Sequence, residues 1–270
     1  MIRRAALLLG LLAAPAAASG PRLVSINPCI DAVLMQVADP GQIAGISHYS
    51  QDAAATSIPL ALARRFNATS GTAEEVVALS PDIVLTGPHV APATIAALKR
   101  MRIRLEQYDV PATVAESEAQ VRAIAAVAGH PERGAVLARR MAAAIVAARP
   151  AGGAPVPAVI WEGEGLVPGA GTLADDLLHQ TGFANMSAAY GLKQWDVLPL
   201  EYLIARPPRV LLSVAAAEGS GDRMTSHPAL RGLASRIAVE RYPERLLHCG
   251  GPTIIDAAAR LARIRRAVTR

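Results

Sequence analysis

A short unit is written twice in this chain. Its first copy, Thr72-Ala73-Glu74-Glu75-Val76-Val77-Ala78-Leu79-Ser80-Pro81-Asp82-Ile83-Val84-Leu85, reads as a brief helix, a turn marked by proline and a buried strand. Val76, Val77 and Leu79 place apolar groups at helical spacing. Pro81 ends the helix, because the residue before a proline is driven out of the α region. Ile83-Val84-Leu85 is a continuous apolar run, as in a strand covered on both faces. The second copy, Glu201-Tyr202-Leu203-Ile204-Ala205-Arg206-Pro207-Pro208-Arg209-Val210-Leu211-Leu212, keeps the same order of glutamate, apolar helical turn, alanine, proline and strand. Glu74 and Glu201 are 127 residues apart. A solenoid would repeat every 20–50 residues or about that. One echo at the longer distance predicts two similar halves, each with a glutamate at a helix start.

The rest of the chain alternates in the same way. Strands are expected at residues 22–27, 43–47, 82–86 and 102–108 in the first half, and at 158–162, 209–214 and 245–249 in the second. Helices are expected at 29–37, 94–101, 172–181 and 253–268, and from a capping box at Thr113 and Glu116 to residue 128. Residues 53–70 read as loop with some helix, 218–222 as a flexible loop, and His227 as the start of a helical turn. The longest helical pattern runs over 132–149, with Leu137, Met141, Ile145 and Ala148 on one face. Pro150, Gly152, Gly153, Pro155 and Pro157 break it. The expected fold is α/β: two Rossmann-like lobes with mainly parallel sheets, 20–131 and 151–270, joined by one long helix at 132–150.

Residues 1–19 have the form of a secretion signal. Arg3 and Arg4 precede an apolar run, and Ala16-Ala17-Ala18 before Ser19 is a small-residue cleavage site. The protein is therefore expected to be exported and, in a Gram-negative cell, periplasmic. The formal net charge of +5 falls to +3 without those two arginines, which argues against nucleic acid as a partner. An oxidising compartment lets Cys29 and Cys249, the only cysteines, form a disulfide; the other reading is two small buried thiols.

Ligands of open α/β sheets bind beyond the carboxyl ends of the strands. Cys29, His48, Tyr49, His89 and Pro252 fall just after expected strands, and Tyr49 and Trp195 offer stiff apolar faces with one polar end each. Trp161 lies inside a strand and is expected in the core. The histidines lack the close spacing of a zinc motif, so no protein-held metal and no cofactor is expected. Nucleophile-elbow and phosphate-loop patterns are also missing, which argues against an enzyme.

Several of these residues together resemble one family. They are Ser25-Ile26-Asn27-Pro28, then Gly45-Ile46-Ser47-His48-Tyr49-Ser50, then the unit at 74–85. In the second half come Gly169 to Thr172, Asp176, Leu178, Gly182, Asn185 and residues 195–212. The series is similar to the periplasmic substrate-binding proteins of ABC importers for cobalamin and ferric siderophores. The resemblance implies two lobes on a helical connector, a metal chelate held in the cleft and limited motion on binding. It implies that Glu74 and Glu201 dock onto arginines of the membrane permease, and that Tyr49 and Trp195 are cleft aromatics. A siderophore, haem or other chelate stays open beside cobalamin, because the turn Gly250-Gly251-Pro252-Thr253 lacks the charged cluster of cobalamin binders. The expected protein is monomeric. The alternative is a zinc or manganese binder of the same architecture.

Overall fold

The computed structural model describes residues 20–214 and 236–270. The expected signal at 1–19, the loop at 218–222 and the turn at His227 lie outside the described residues.

The first half is a five-stranded sheet. Its strands are β1 (Leu23–Ser25), β2 (Ile43–Ser47), β3 (Ala68–Thr69), β4 (Ile83–Thr86) and β5 (Arg104–Gln107). They are all parallel, in the order β3-β2-β1-β4-β5. Every residue of β1, β2 and β4 is buried, as continuous apolar runs require. The helices between them are α1 (Pro28–Val37), α2 (Leu60–Ala63), α3 (Ala73–Ala78) and α4 (Pro92–Arg100), and α5 (Val114–Val127) follows β5.

The connector is one unbroken helix, α6 (Pro131–Ala148). Leu137, Met141, Ile145 and Ala148 are buried, as their spacing predicts. Gly134 lets α6 approach α5 closely: a Cβ there would meet the Ala125 side chain at 2.5 Å.

The second half holds β6 (Val156–Trp161), β7 (Leu166–Pro168), α7 (Leu173–Gln180), β8 (Phe183–Asn185), α8 (Met186–Ala189), β9 (Trp195–Val197), α9 (Leu200–Ala205), β10 (Val210–Ser213), β11 (Ala238–Arg241) and α10 (Thr253–Val268). Four of its strands form a parallel sheet in the order β11-β10-β6-β8, and β7 and β9 form an antiparallel ribbon. One continuous core runs through both halves. It includes Leu23 and Ile83 of the first sheet, Met141 and Ile145 of α6, Ala158, Phe183 and Leu212 of the second sheet, and Leu261 of α10.

Three local readings are corrected. The strand expected at 245–249 is a 3-10 turn, Glu244–Leu246, and the last strand is β11. Leu246 and Leu247 are both buried, which a turn permits and the alternation of a half-covered strand does not. Trp195, which the sequence suggests is a loop residue ahead of a helix, lies in strand β9. At the Thr113 cap, the hydroxyl accepts from the Glu116 N–H, but the Glu116 carboxylate takes the N–H of Ala112, one residue earlier than a capping box requires.

Candidate functional site

In the first sheet the chain reverses its direction of winding between β1 and β4, the switch point where crevices form. A cavity of about 520 Å3 lies beside this point, between the halves. The first half contributes His89, three residues past β4, and the segment 110–112 after β5. The second contributes Thr172 at the cap of α7, Trp195 of β9, and His248. A smaller hollow of about 50 Å3 adjoins it, sharing Val110, Pro111, His248 and Gly250 and adding Asn27, Cys29 and Tyr108.

Local chemistry fixes these walls. Asn27 caps α1, its Oδ1 accepting from the N–H groups of Cys29 at 2.9 Å and Ile30 at 3.2 Å. Cys29, held at the helix start, is joined to Cys249 in a disulfide with Cα atoms 5.0 Å apart. The bond ties the first half to the segment before α10. Trp195 is aimed by the ribbon, where it pairs with Pro168, and its ring lies 5.5 Å from that of His248.

His248 in turn sits between two carboxylates. Its Nε2 is 3.2 Å from Glu162 Oε1 and 3.6 Å from Glu244 Oε1. The hydrogen bond to Glu162 holds the imidazole above its ordinary pKa, against the opposing effect of burial, and the charge of Glu244 adds to it. Glu162 follows β6 directly, and its N–H donates to the Leu166 carbonyl at 3.0 Å.

A buried carboxyl supports the His48–Tyr49 ring pair. Asp31 of α1 is fully buried; its Oδ2 accepts from the Ser47 N–H at 2.9 Å and the Ser50 hydroxyl at 2.7 Å. It thereby pins the 3-10 turn His48–Gln51. Burial without a countercharge pushes its pKa up to about 7, the serine hydrogen bonds opposing. An acid with a raised pKa stabilises the fold most when protonated. Its contribution is therefore full below pH 3.8 and is lost as pH rises to about 7. Asp31→Asn is expected to remove that pH dependence, a slope of about 1.4 kcal/mol per pH unit that amounts to a loss of the order of 4 kcal/mol across the window. Urea unfolding of both proteins at several pH values between those limits checks this; equal pH dependence contradicts it.

The other expected site residues fall in different places. His48 and Tyr49 have ring centroids 4.1 Å apart, with Tyr49 52% exposed, and neither lines the two hollows. Pro252 caps α10 and lines a separate surface hollow with Ser57 and Arg140. Glu74 and Glu201 are exposed in the first turns of α3 and α9. Trp161 is completely buried. Sequence reasoning did not bring together Glu162, Glu244 and His248. The available signal was the i,i+4 spacing of Glu244 and His248, hidden by reading that segment as a strand.

A family model described as periplasmic binding protein matches residues 23–235. No curated protein matches the chain by sequence. Solved structures share the fold at low identity. The periplasmic heme-binding protein RhuT from Roseiflexus sp. RS-1, in apo form, has a TM-score of 0.71 at 21% identity, over 91% of this chain and 99% of that one. The periplasmic vitamin B12 binding protein BtuF of Vibrio cholerae has a TM-score of 0.73 at 15% identity, over 93% and 99%. The periplasmic heme-binding protein HutB of Vibrio cholerae has a TM-score of 0.72 at 17% identity, over 90% and 98%.

Proposed function

Since the chain belongs to the periplasmic binding protein family, we propose that it captures a bulky metal chelate between its halves and delivers it to the permease of an ABC importer. The chelate is cobalamin-, siderophore- or haem-like. One observation carries this reading: the 520 Å3 cavity walled by residues of both halves, with the Trp195 indole beside His248. Its volume lies within the range of about 300–1,000 Å3 usual for small-molecule sites. An indole on such a wall gives a large ring system a flat apolar face. Proteins with this fold that are named for binding heme or vitamin B12 support the same class of guest.

In this reading residues 1–19 direct export and are removed. Residues 20–131 and 151–270 are the lobes, 132–150 the connector, and the mature protein is a periplasmic monomer. It catalyses nothing and touches no nucleic acid. Cys29, His89 and Trp195 contact the ligand within the walls. His48 and Tyr49 contact it where it extends past them. Glu74 and Glu201 meet the permease.

The test is native mass spectrometry of protein isolated from its own host. One co-purified metal-bearing mass per chain is expected; protein that carries no such mass, and takes up none when offered, overturns the reading. Trp195→Ala is then expected to weaken that chelate by about 2 kcal/mol, roughly thirtyfold. Calorimetric titration checks this, and unchanged affinity removes Trp195 from the contact set.

A further inference from the structure

Glu162, Glu244 and His248 can do more than hold one another. One ligand atom from each lies within 4.8 Å of the other two. A cation bound at about 2.0–2.2 Å in tetrahedral geometry sets its ligand atoms about 3.3 Å apart. The imidazole nitrogen is already 3.2 and 3.6 Å from the two carboxylate oxygens, and those oxygens lie within 4.8 Å of each other, so side-chain adjustment alone can bring the three to that spacing.

Charge points the same way: a divalent ion would offset the two carboxylates. The Glu162, Glu244 and His248 side chains retain 20%, 28% and 44% of their exposure. Glu162 also has capacity to spare. Its Oε2 is buried and accepts no hydrogen bond among the described residues, although Oε1 is engaged.

The frame is stiff. Glu162 leaves the end of a central strand, and His248 is next to the disulfide-bonded Cys249. His248 also lines the cavity, and three protein ligands leave a fourth coordination position open.

We propose that the inner edge of the cavity is a binding site for one divalent first-row transition-metal ion, held by Glu162, Glu244 and His248 and open to the cavity on its remaining side. Imidazole with two carboxylates suits ions from manganese to zinc. The ion is not the cargo. It presents a Lewis-acid contact to an oxygen or nitrogen donor of the guest. This role rests on the chelate reading; the site itself does not.

The experiment uses untagged mature protein with its disulfide intact, stripped with a chelator, dialysed and titrated with Co2+. The expected result is one cobalt per chain, with visible absorption of a low-coordinate site, displaced by Zn2+. Glu162→Gln and His248→Ala are each expected to cost more than the roughly 10–100-fold loss seen for an outer-shell partner. Melting temperatures without metal confirm that the variants are folded. If His248→Ala is not folded, Glu162→Gln decides, because glutamine keeps the shape. A wild type that takes up no stoichiometric cobalt, or folded variants that bind it equally well, overturns the inference. Chelate capture is read separately. Protein that takes cobalt but no chelate keeps this site and loses the proposed function; protein that takes chelate but no cobalt does the opposite.

Discussion

Replacing Glu74 and Glu201 together by alanine is expected to abolish uptake and leave ligand affinity unchanged. Both carboxylates are exposed in first helical turns, and neither has a hydrogen-bond or ion-pair partner among the described residues. Glu75, one residue from Glu74, is different. Its carboxylate accepts from the Ser70 N–H at 2.6 Å and from the hydroxyls of Ser70 and Thr69 at 2.9 Å, and these bonds hold its pKa below the usual range. Glu75 braces its own loop, whereas Glu74 is free to meet a partner. Removing Glu74 leaves the Thr72 cap of α3 intact and costs only the dipole contribution, about 0.3–1 kcal/mol. Two interfacial ion pairs at about 1.5 kcal/mol each give a loss of docking of about 150-fold. Transport into permease-bearing vesicles, with calorimetry of the ligand alongside, separates the two effects. Glu75→Ala is the control, expected to lower stability and spare transport. Normal import by the double variant removes the docking roles.

The second large effect concerns the disulfide. Cys29 and Cys249 are 220 residues apart, so the bond closes nearly the whole mature chain into one loop. In the chain-entropy account, closing a loop of that length in the unfolded state stabilises the fold by about 5 kcal/mol; measured values are more often about 2–4 kcal/mol. Cys29→Ser with Cys249→Ser is therefore expected to lower the melting temperature by roughly 10 °C. The loss reaches the site as well. The bond joins Cys29, which lines the small hollow, to Cys249, the residue next to His248, so the double variant is also expected to bind its ligand more weakly. Calorimetric melting and ligand titration on one preparation measure both. A variant that melts with the wild type shows that the common core around α6 alone holds the halves together.

That core explains what could be read from sequence. β2 and β4 are covered on both faces and leave continuous apolar runs, and α6 combines a helical period with proline and glycine terminators. Elements defined by pairing instead of burial left no such mark. Trp195, Asp196 and Val197 are all exposed, so nothing in their hydrophobicity announces a strand; their pairing with β7 makes it one. β3 is two residues at a sheet edge. The apolar pair Leu246-Leu247 suggested a strand, yet the chain turns there after Pro243. Strand-end reasoning reached Cys29 and His89, which line the hollows, because it follows from topology. The cluster at Glu162, Glu244 and His248 is assembled from segments 82 residues apart and depends on a turn the sequence disguised.

The chain contains two tryptophans, Trp161 sealed in the core and Trp195 on the cavity wall. Their emission can therefore report directly on a guest. Titrating the mature protein with aquocobalamin, a ferric siderophore and haem in turn is expected to give one saturable quenching step, at one chelate per chain, for one member of the set, much reduced by Trp195→Phe. If no chelate produces a saturable step, or if Trp195→Phe leaves the step unaltered, the guest does not lie in this cavity.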